Sequence, residues 1–326
     1  MASEAAPTAP PAHRVPFTRR PWWPALSRSA SAVFLALVLW LVLRYARTVK
    51  WGDVAAAIGD YSATTLVAAA GLAIASHALY ATFDLLSRRY TGHKLPAWRV
   101  LATAFTSYAF NLNFGSLVGG VALRARLYSR QGLSAARISR IVGFSMLTNW
   151  LGYFVLAGVC CLWQPLAVPE GWSLGAGALQ VLGAALIAVA AGYVALCFAS
   201  PRRSFAVRGH HLHLPSGRAA LLQLALSALN WGLIGATVYT LLPPQVDYAA
   251  ALTTLLAAAV AGVVTHVPGG LGVLEAVFLT LLSPPVAESP LLAALLVYRA
   301  LYYLVPLALA ALLYLGFELR LKPSSG

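Results

Sequence analysis

The chain has 326 residues, of which 60% are hydrophobic and only 10% are charged, and its formal net charge is +14 at pH 7. A soluble domain typically has about 25% charged residues, and a single hydrophobic core cannot enclose this much apolar side chain. The composition therefore excludes an ordinary soluble enzyme or binding domain, and it indicates a helical protein whose apolar surface faces lipid.

The chain is predicted to begin with a tail and to continue as one transmembrane domain. Residues 1–28 are polar, proline-rich and basic, which is typical of a disordered segment. Several apolar segments then approach or exceed the roughly 18 residues needed to span a bilayer. They are 31–43, 64–86, 141–163, 174–198, 219–242 and 291–317. We predict a tail at 1–28, a transmembrane domain at 29–318 and a C-terminal tail at 319–326.

The basic residues are grouped in the connections between apolar segments rather than in one patch. They lie mainly within 14–28, 88–99, 124–140 and 202–218, whereas the connections around Glu170, Asp247 and Glu288 contain neither lysine nor arginine. Cytoplasmic loops collect Lys and Arg, so these basic connections and both termini are expected to be cytoplasmic. This distribution explains the positive net charge without a nucleic-acid partner.

Two further apolar segments are predicted to enter the membrane and return on the same side. Segment 100–123 lies between two basic connections and is interrupted by AFNLNFGSLVGG, and segment 248–282 lies between two acidic ones and is interrupted by HVPGG. Glycine, proline and asparagine favour such breaks. The fold class predicted is an all-α polytopic membrane protein with about six full spans and two broken re-entrant hairpins in an inverted-repeat arrangement. The alternative is that each interrupted segment is a pair of short, tilted spans.

The most informative ionisable residues at membrane depth are Glu275 and Arg299. Because an unpaired charge at the bilayer centre costs roughly 2.5–3.5 kcal/mol on insertion scales, we predict an ion pair between them. The pair could serve only helix packing. In the functional interpretation, Arg299 and the helix restarting after Gly269, Gly270 and Gly272 form an anion site that suits a phosphate headgroup. Glu275 is then a gate or counter-charge.

The first hairpin contains a similar arrangement, because Gly119 and Gly120 are followed by Arg124 and Arg126, with Asn113 at its break. Asp84 is expected to pair locally with Arg88, one helical turn away. His77 is expected to be a hydrogen-bonded core residue.

The sequence predicts no metal site and no cofactor. His210, His211 and His213 could bind a metal, but a solvated loop is favoured because no further ligand pattern accompanies them. The sequence contains no HExxH, GxSxG or Walker A motif. The protein is therefore not predicted to be an enzyme.

Three segments resemble one known family: NLNFGSLVGGVALRARLYSRQGLS at 111–134, VPGGLGVLEAVF at 267–278 and YRALYYLVP at 298–306. They are similar to the lysylphosphatidylglycerol synthase transmembrane-region family, and most similar to its YbhN-type inner-membrane branch. The resemblance implies a multi-pass protein of the bacterial inner membrane with a flippase-like domain and without the soluble synthase domain. Many members have Gly-Glu-x-x-Arg after the first break, where this chain has Gly120-Val-Ala-Leu-Arg124, so the cargo need not be the same cationic lipid.

The sequence thus predicts a protein that binds or moves a phospholipid, most consistently an anionic one, between leaflets. Glu275, Arg299, His266 and the glycine turn would lie at the site. One alternative is a non-transporting scaffold or accessory of a lipid-synthesising enzyme. Another is a membrane-embedded enzyme that uses His266 and Glu275 as base and acid.

Overall fold

The computed structural model describes residues 51–163, 175–201, 204–207, 210–283 and 286–320, together with positions 36, 40, 44, 47 and 50. The predicted tail at 1–28 and nearly all of the predicted first span at 31–43 lie outside the described residues, as does most of the C-terminal tail. The chain divides into two compact units, 1–51 and 52–326. In the first unit, the described positions Ala36, Trp40, Arg44 and Arg47 are helical, and the Arg44 guanidinium carbon lies 5.1 Å from the Trp40 ring centroid.

Helices form nearly all of the described chain from Trp51 onward. In chain order they are α1 Trp51–Gly59, α2 Ala63–Thr91, α3 Ala97–Phe114, the π-helical segment π1 Ser116–Leu123, α4 Arg124–Arg130, α5 Ala135–Trp163, α6 Ala176–Ala199, α7 Gly217–Leu241, α8 Tyr248–Thr265, a 3₁₀ turn Pro268–Gly270, α9 Val273–Leu282, α10 Glu288–Arg299, the π-helical segment π2 Ala300–Leu304 and α11 Val305–Arg320. Serine or aspartate caps three N-termini: Ser62 at α2, Ser216 at α7 and Asp247 at α8.

Six helical segments of the described chain are long and apolar enough to cross a membrane. They are Ala63–Thr91, Ala135–Trp163, Gly177–Ala199, Gly217–Leu241, Tyr248–Thr265 and Glu288–Glu318. The prediction of an all-α polytopic membrane protein is confirmed. The segments differ from the predicted set in two respects: Tyr248–Thr265 is long enough to qualify on its own, and the predicted span at 31–43 lies almost wholly outside the described residues. The 18 residues of Tyr248–Thr265 extend about 27 Å, close to the hydrocarbon thickness of a bilayer.

A small antiparallel β-hairpin replaces the solvated loop that was expected at the histidine cluster. Strand β1, Ser204–Val207, pairs with β2, His210–His213, in a register that places Ser204 opposite His213. Among the described residues, no group of three or more histidine, cysteine or acidic side chains is arranged to hold a metal ion.

The first predicted break lies between α3 and π1. Gly115, with φ 85°, ends α3, and its amide donates to the Asn111 carbonyl. The chain then folds back so closely that a Cβ atom added to Gly119 would lie 2.0 Å from the Asn111 backbone nitrogen. Only glycine fits this contact, so Gly119 is what permits the return of the chain.

The second predicted break lies between α8 and α9. His266 adopts the left-handed conformation with φ 55°, and Gly269, Gly270 and Gly272 also have positive φ values. Pro268 cannot donate a backbone hydrogen bond, which further favours the end of the helix. Beyond the break, α9 packs against α8 and contributes Leu274 and Phe278 to the main hydrophobic core. The chain therefore reverses direction here as well.

We predict that Gly119→Ala destabilises the protein strongly, because the added methyl group meets rigid backbone rather than a movable side chain. Overpacking of a side-chain core costs about 1–3 kcal/mol, and the cost here should reach or exceed that range. The melting temperature and the monodisperse fraction in detergent would both fall. Gly143→Ala in α5 is the matched control, since nothing lies within 4 Å of its added Cβ atom. Equal stability of the two variants would contradict the close packing described for Gly119.

Candidate functional site

The predicted ion pair between Glu275 and Arg299 is present in the structure. Arg299 Nε donates to Glu275 Oε1 at 2.5 Å, and Nη2 donates to Oε2 at 2.9 Å. The arginine side chain is 7% exposed and the glutamate side chain 21%. Glu275 lies in the first turn of α9, where the helix dipole also favours a negative charge. Two independent interactions therefore stabilise the position of this carboxylate inside an apolar segment.

The same guanidinium also holds the broken backbone. Arg299 Nη1 donates to the Gly269 carbonyl and Nη2 donates to the Gly270 carbonyl, both at 2.8 Å. The Tyr303 ring lies beside it, with 5.5 Å between the ring centroid and Arg299 Cζ. Arg299 thus joins the end of α10 to both the turn and α9. The Glu275 carboxylate thus occupies the edge of the guanidinium formed by Nε and Nη2.

The tip of the first hairpin meets the second at this point. Helix α3 packs against the turn Pro268–Gly270, and the Asn113 side-chain amide donates to the Tyr303 carbonyl at 3.2 Å. That carbonyl belongs to π2, which lies just before Pro306. Since proline has no backbone N–H, it removes a helical hydrogen bond and favours such a distortion. Asn113 is completely buried, and its Oδ1 has no hydrogen-bond donor among the described residues.

A buried chain of hydrogen bonds runs alongside the ion pair and was not predicted from the sequence. The Ser76 hydroxyl contacts Asn230 Oδ1 at 2.9 Å and the Tyr302 hydroxyl at 2.7 Å, and Tyr302 in turn contacts the Tyr108 hydroxyl at 3.0 Å. These side chains link α2, α3, α7 and π2. Polar residues inside otherwise apolar spans were the available signal. His77 is the buried, hydrogen-bonded residue that was predicted, with Nδ1 2.9 Å from the Ala73 carbonyl.

The predicted pairing of Asp84 with Arg88 is wrong. Asp84 is fully buried, and its Oδ2 lies 3.6 Å from Arg124 Nε and accepts a 2.7 Å hydrogen bond from the Tyr128 hydroxyl. The local rule considers only neighbours on the same helix, whereas Arg124 and Tyr128 reach Asp84 from α4, on the return arm of the first hairpin. A buried carboxylate requires partners on its buried side, and Arg88 is partly exposed.

The remaining predicted site residues lie apart from Arg299 in the pattern of contacts. Arg126 donates to Glu318 Oε1 and to the Tyr314 hydroxyl, and Arg130 pairs with the same glutamate, so these residues tie α4 to the end of α11. His266 is exposed at the tip of the second hairpin, with Nδ1 2.9 Å from the Val264 carbonyl. The structure therefore brings together Glu275, Arg299, Gly269 and Gly270, with Asn113 adjacent through Tyr303, and it places Arg124 and Arg126 in separate clusters.

We predict that Arg299→Met lowers stability by about 3–5 kcal/mol, because it leaves a charged Glu275 and two turn carbonyls without their partner. Arg140→Met removes an exposed arginine on α5 and serves as the control. Thermal unfolding in detergent measures both. Recovery of stability in Arg299→Met/Glu275→Leu would support the uncompensated charge as the main cost, whereas no loss in the single variant would contradict the role of Arg299 in holding the turn.

His93 lies in the connection between α2 and α3 and is 5% exposed. Burial lowers the pKa of its imidazole below the usual 6.5, and the nearby charges of Arg88 and Arg137 lower it further, while Asp84 acts in the opposite direction. The Tyr128 ring also faces it, with centroids 6.2 Å apart. A neutral His93 is therefore favoured in the folded protein.

We predict that stability falls as the pH decreases below about 6.5, because the unfolded chain then binds a proton at His93 that the folded chain disfavours. The contribution is fully present above that pH and is lost toward the lower pKa of the folded state. Melting temperatures between about pH 7.5 and 5.5 should depend less on pH in His93→Gln. The exposed His266→Asn is the control. The same pH dependence in His93→Gln and the wild type would refute the prediction.

Comparison with known proteins identifies the family. Residues 29–310 match the family model described as the lysylphosphatidylglycerol synthase TM region. The chain is 40% identical over 303 residues to inner membrane protein YbhN of Escherichia coli, covering 93% of this chain and 95% of the relative. It is 31% identical over 283 residues to the uncharacterized protein slr0712 of Synechocystis, covering 82% and 84%. It is also 41% identical to phosphatidylglycerol lysyltransferase of Staphylococcus haemolyticus, but only over 93 residues, 27% of this chain and 11% of that protein. The chain belongs to the lysylphosphatidylglycerol synthase transmembrane-region family.

Proposed function

We propose that this protein binds an anionic phospholipid and moves it between the leaflets of the bacterial inner membrane, with Glu275 and Arg299 at the binding site. The observation that carries the proposal is the position of the ion pair: it holds a helix break that the proposed topology puts at membrane depth, where α3 meets the turn Pro268–Gly270. Broken backbone at this depth occurs where it is buried in protein or lines a polar cavity. Such positions are typical of transporter binding sites.

The names of two relatives support a location in the inner membrane and a phospholipid as the cargo. One relative is named as an inner membrane protein, and another is named for its action on phosphatidylglycerol, which is an anionic phospholipid. The C-terminal segment has a net positive charge from Glu318, Arg320 and Lys322. The loops near α4 are also basic. In the proposed topology both termini are cytoplasmic, the first hairpin opens to the cytoplasm, and the second opens to the opposite side as its inverted counterpart.

The binding step is an exchange of anions at Arg299. A phosphate can accept two parallel hydrogen bonds from a guanidinium, as the Glu275 carboxylate does in the structure. The exchange leaves the arginine paired at all times, and it releases Glu275 from α10. The contact between α9 and α10 then weakens, which gives lipid binding a way to loosen the second hairpin. No covalent chemistry is involved.

A scaffold for a lipid-synthesising enzyme is the second candidate function. The observation in its favour is that Arg299 makes four hydrogen bonds that together fix three elements, as a purely structural residue would. Copurification with a synthase, combined with wild-type protein that neither binds nor moves lipid, would favour this function.

We predict that Glu275→Gln binds phosphatidylglycerol more tightly than the wild type and moves it more slowly, because the neutral amide competes less well with phosphate for Arg299. Arg299→Lys should lose movement by at least about tenfold, since one ammonium group cannot make the bidentate contact. Proteoliposomes containing fluorescent phosphatidylglycerol, with a membrane-impermeant quencher, measure movement, and lipid retained after purification measures binding.

Glu288→Gln at the start of α10 controls for the loss of an acidic residue, and fluorescent phosphatidylcholine controls for headgroup charge. Folded yield is measured for every variant, so that loss of movement is scored only in protein that remains monodisperse. Wild-type protein without lipid movement would refute the proposed function. Movement that is unaffected in Glu275→Gln would restrict the ion pair to a structural role.

A further inference from the structure

A second group of charges surrounds Asp84 and is separate from the Glu275–Arg299 site. We name it the Arg124 cluster, and it consists of Asp84 and Arg88 from α2, His93 from the following connection, Arg124 and Tyr128 from α4, and Arg137 from α5. The cluster contains three arginines and one carboxylate, of which Oδ2 contacts Arg124 and the Tyr128 hydroxyl, while Oδ1 is buried without a hydrogen-bond partner among the described residues. The cluster therefore has an excess of positive charge.

Several buried polar atoms of this cluster, most of them donors, have no hydrogen-bond partner in the described chain. Arg124 Nε and Nη2, Arg137 Nε and both ring nitrogens of His93 are buried and without a hydrogen-bond partner within the described part of the chain. Arg124 itself is only 1% exposed. A buried polar group without a partner costs about 1–3 kcal/mol, and a charged one costs more. Several such donors at one place favour the binding of a group that supplies acceptors.

The chemistry of the donors defines the missing group. Guanidinium N–H groups cannot accept hydrogen bonds, and a neutral imidazole presents one N–H, so the ligand has to provide several acceptor atoms. The arginines would repel a cationic ligand. A phosphate oxyanion meets both requirements, because it has multiple acceptor oxygens and a negative charge that pairs well with arginine.

The cluster combines outer and inner charges. Arg88 and Arg137, whose charges act on His93, are partly exposed, whereas Arg124 and Asp84 are buried. A ligand would contact the outer arginines first and then reach Arg124. We propose that the Arg124 cluster is a binding site for a phosphate oxyanion, supplied either by a lipid headgroup or by a free phosphate compound. The site shares no residue with the Glu275–Arg299 pair, and oxyanion binding there does not depend on lipid movement.

The test measures binding of inorganic phosphate to the purified full chain in a maltoside detergent, by calorimetry and by the shift in melting temperature. We expect saturable binding to the wild type, weakened at least about tenfold in Arg137→Gln, which removes a charge-assisted contact. Arg140→Gln is the matched control, because Arg140 lies one turn further along the same helix and is exposed. His93→Gln is a second variant, expected to weaken binding less because it removes no fixed charge.

Two arms distinguish the sources of phosphate. In nanodiscs of phosphatidylglycerol, loss of inorganic phosphate binding relative to phosphatidylcholine nanodiscs would assign the site to a lipid headgroup. Equal binding in both would assign it to a free phosphate compound. Absence of phosphate binding in detergent and in both nanodiscs would overturn the proposal, as would equal weakening in Arg137→Gln and Arg140→Gln, which would indicate general charge attraction. Because no arm measures lipid movement, failure of this inference is distinguishable from failure of the proposed function.

Discussion

The hydrogen bonds from Arg299 to the Gly269 and Gly270 carbonyls are the interactions on which the second half of the structure depends. A helix that breaks inside a bilayer loses intrahelical partners, and lipid offers none in return. One guanidinium supplies those partners and also neutralises Glu275. The geometry of the turn, the start of α9 and the distance between α9 and α10 all follow from the position of this side chain.

Both hairpins contain a carboxylate paired with an arginine, but the element that contributes each charge differs. In the first, the return arm provides the cation, Arg124, and the preceding span provides the acid, Asp84. In the second, the return arm provides the acid, Glu275, and the following helix provides the cation, Arg299. The order of span, break and return is repeated, but the charges are not.

The sequence predicted both helix breaks because glycine, proline and asparagine act locally, within a few residues of the turn. It also predicted the Glu275–Arg299 pair, because acids are scarce in this chain and a short connection makes α9 and α10 neighbours. The partner of Asp84 could not be predicted in the same way. Arg124 lies 40 residues away and reaches Asp84 only after the first hairpin has folded back, so a rule based on spacing within one helix selected Arg88 instead. The chain of contacts through Tyr302 likewise requires helix packing and the distortion before Pro306, neither of which residue spacing reveals.

The two arginine sites differ in how an anion would be accommodated. Arg299 is already bound by a carboxylate and two carbonyls, so a phosphate there replaces one negative partner with another. The arginine keeps a negative partner, but the released Glu275 carboxylate loses its own, and this cost opposes stable binding of the anion. In the Arg124 cluster, by contrast, buried donors lack acceptors, so an anion adds a partner without removing one. Exchange suits a ligand that has to leave again, whereas addition suits one that is held. On these grounds the proposed movement of lipid belongs to the Glu275–Arg299 site, and stable occupancy belongs to the Arg124 cluster.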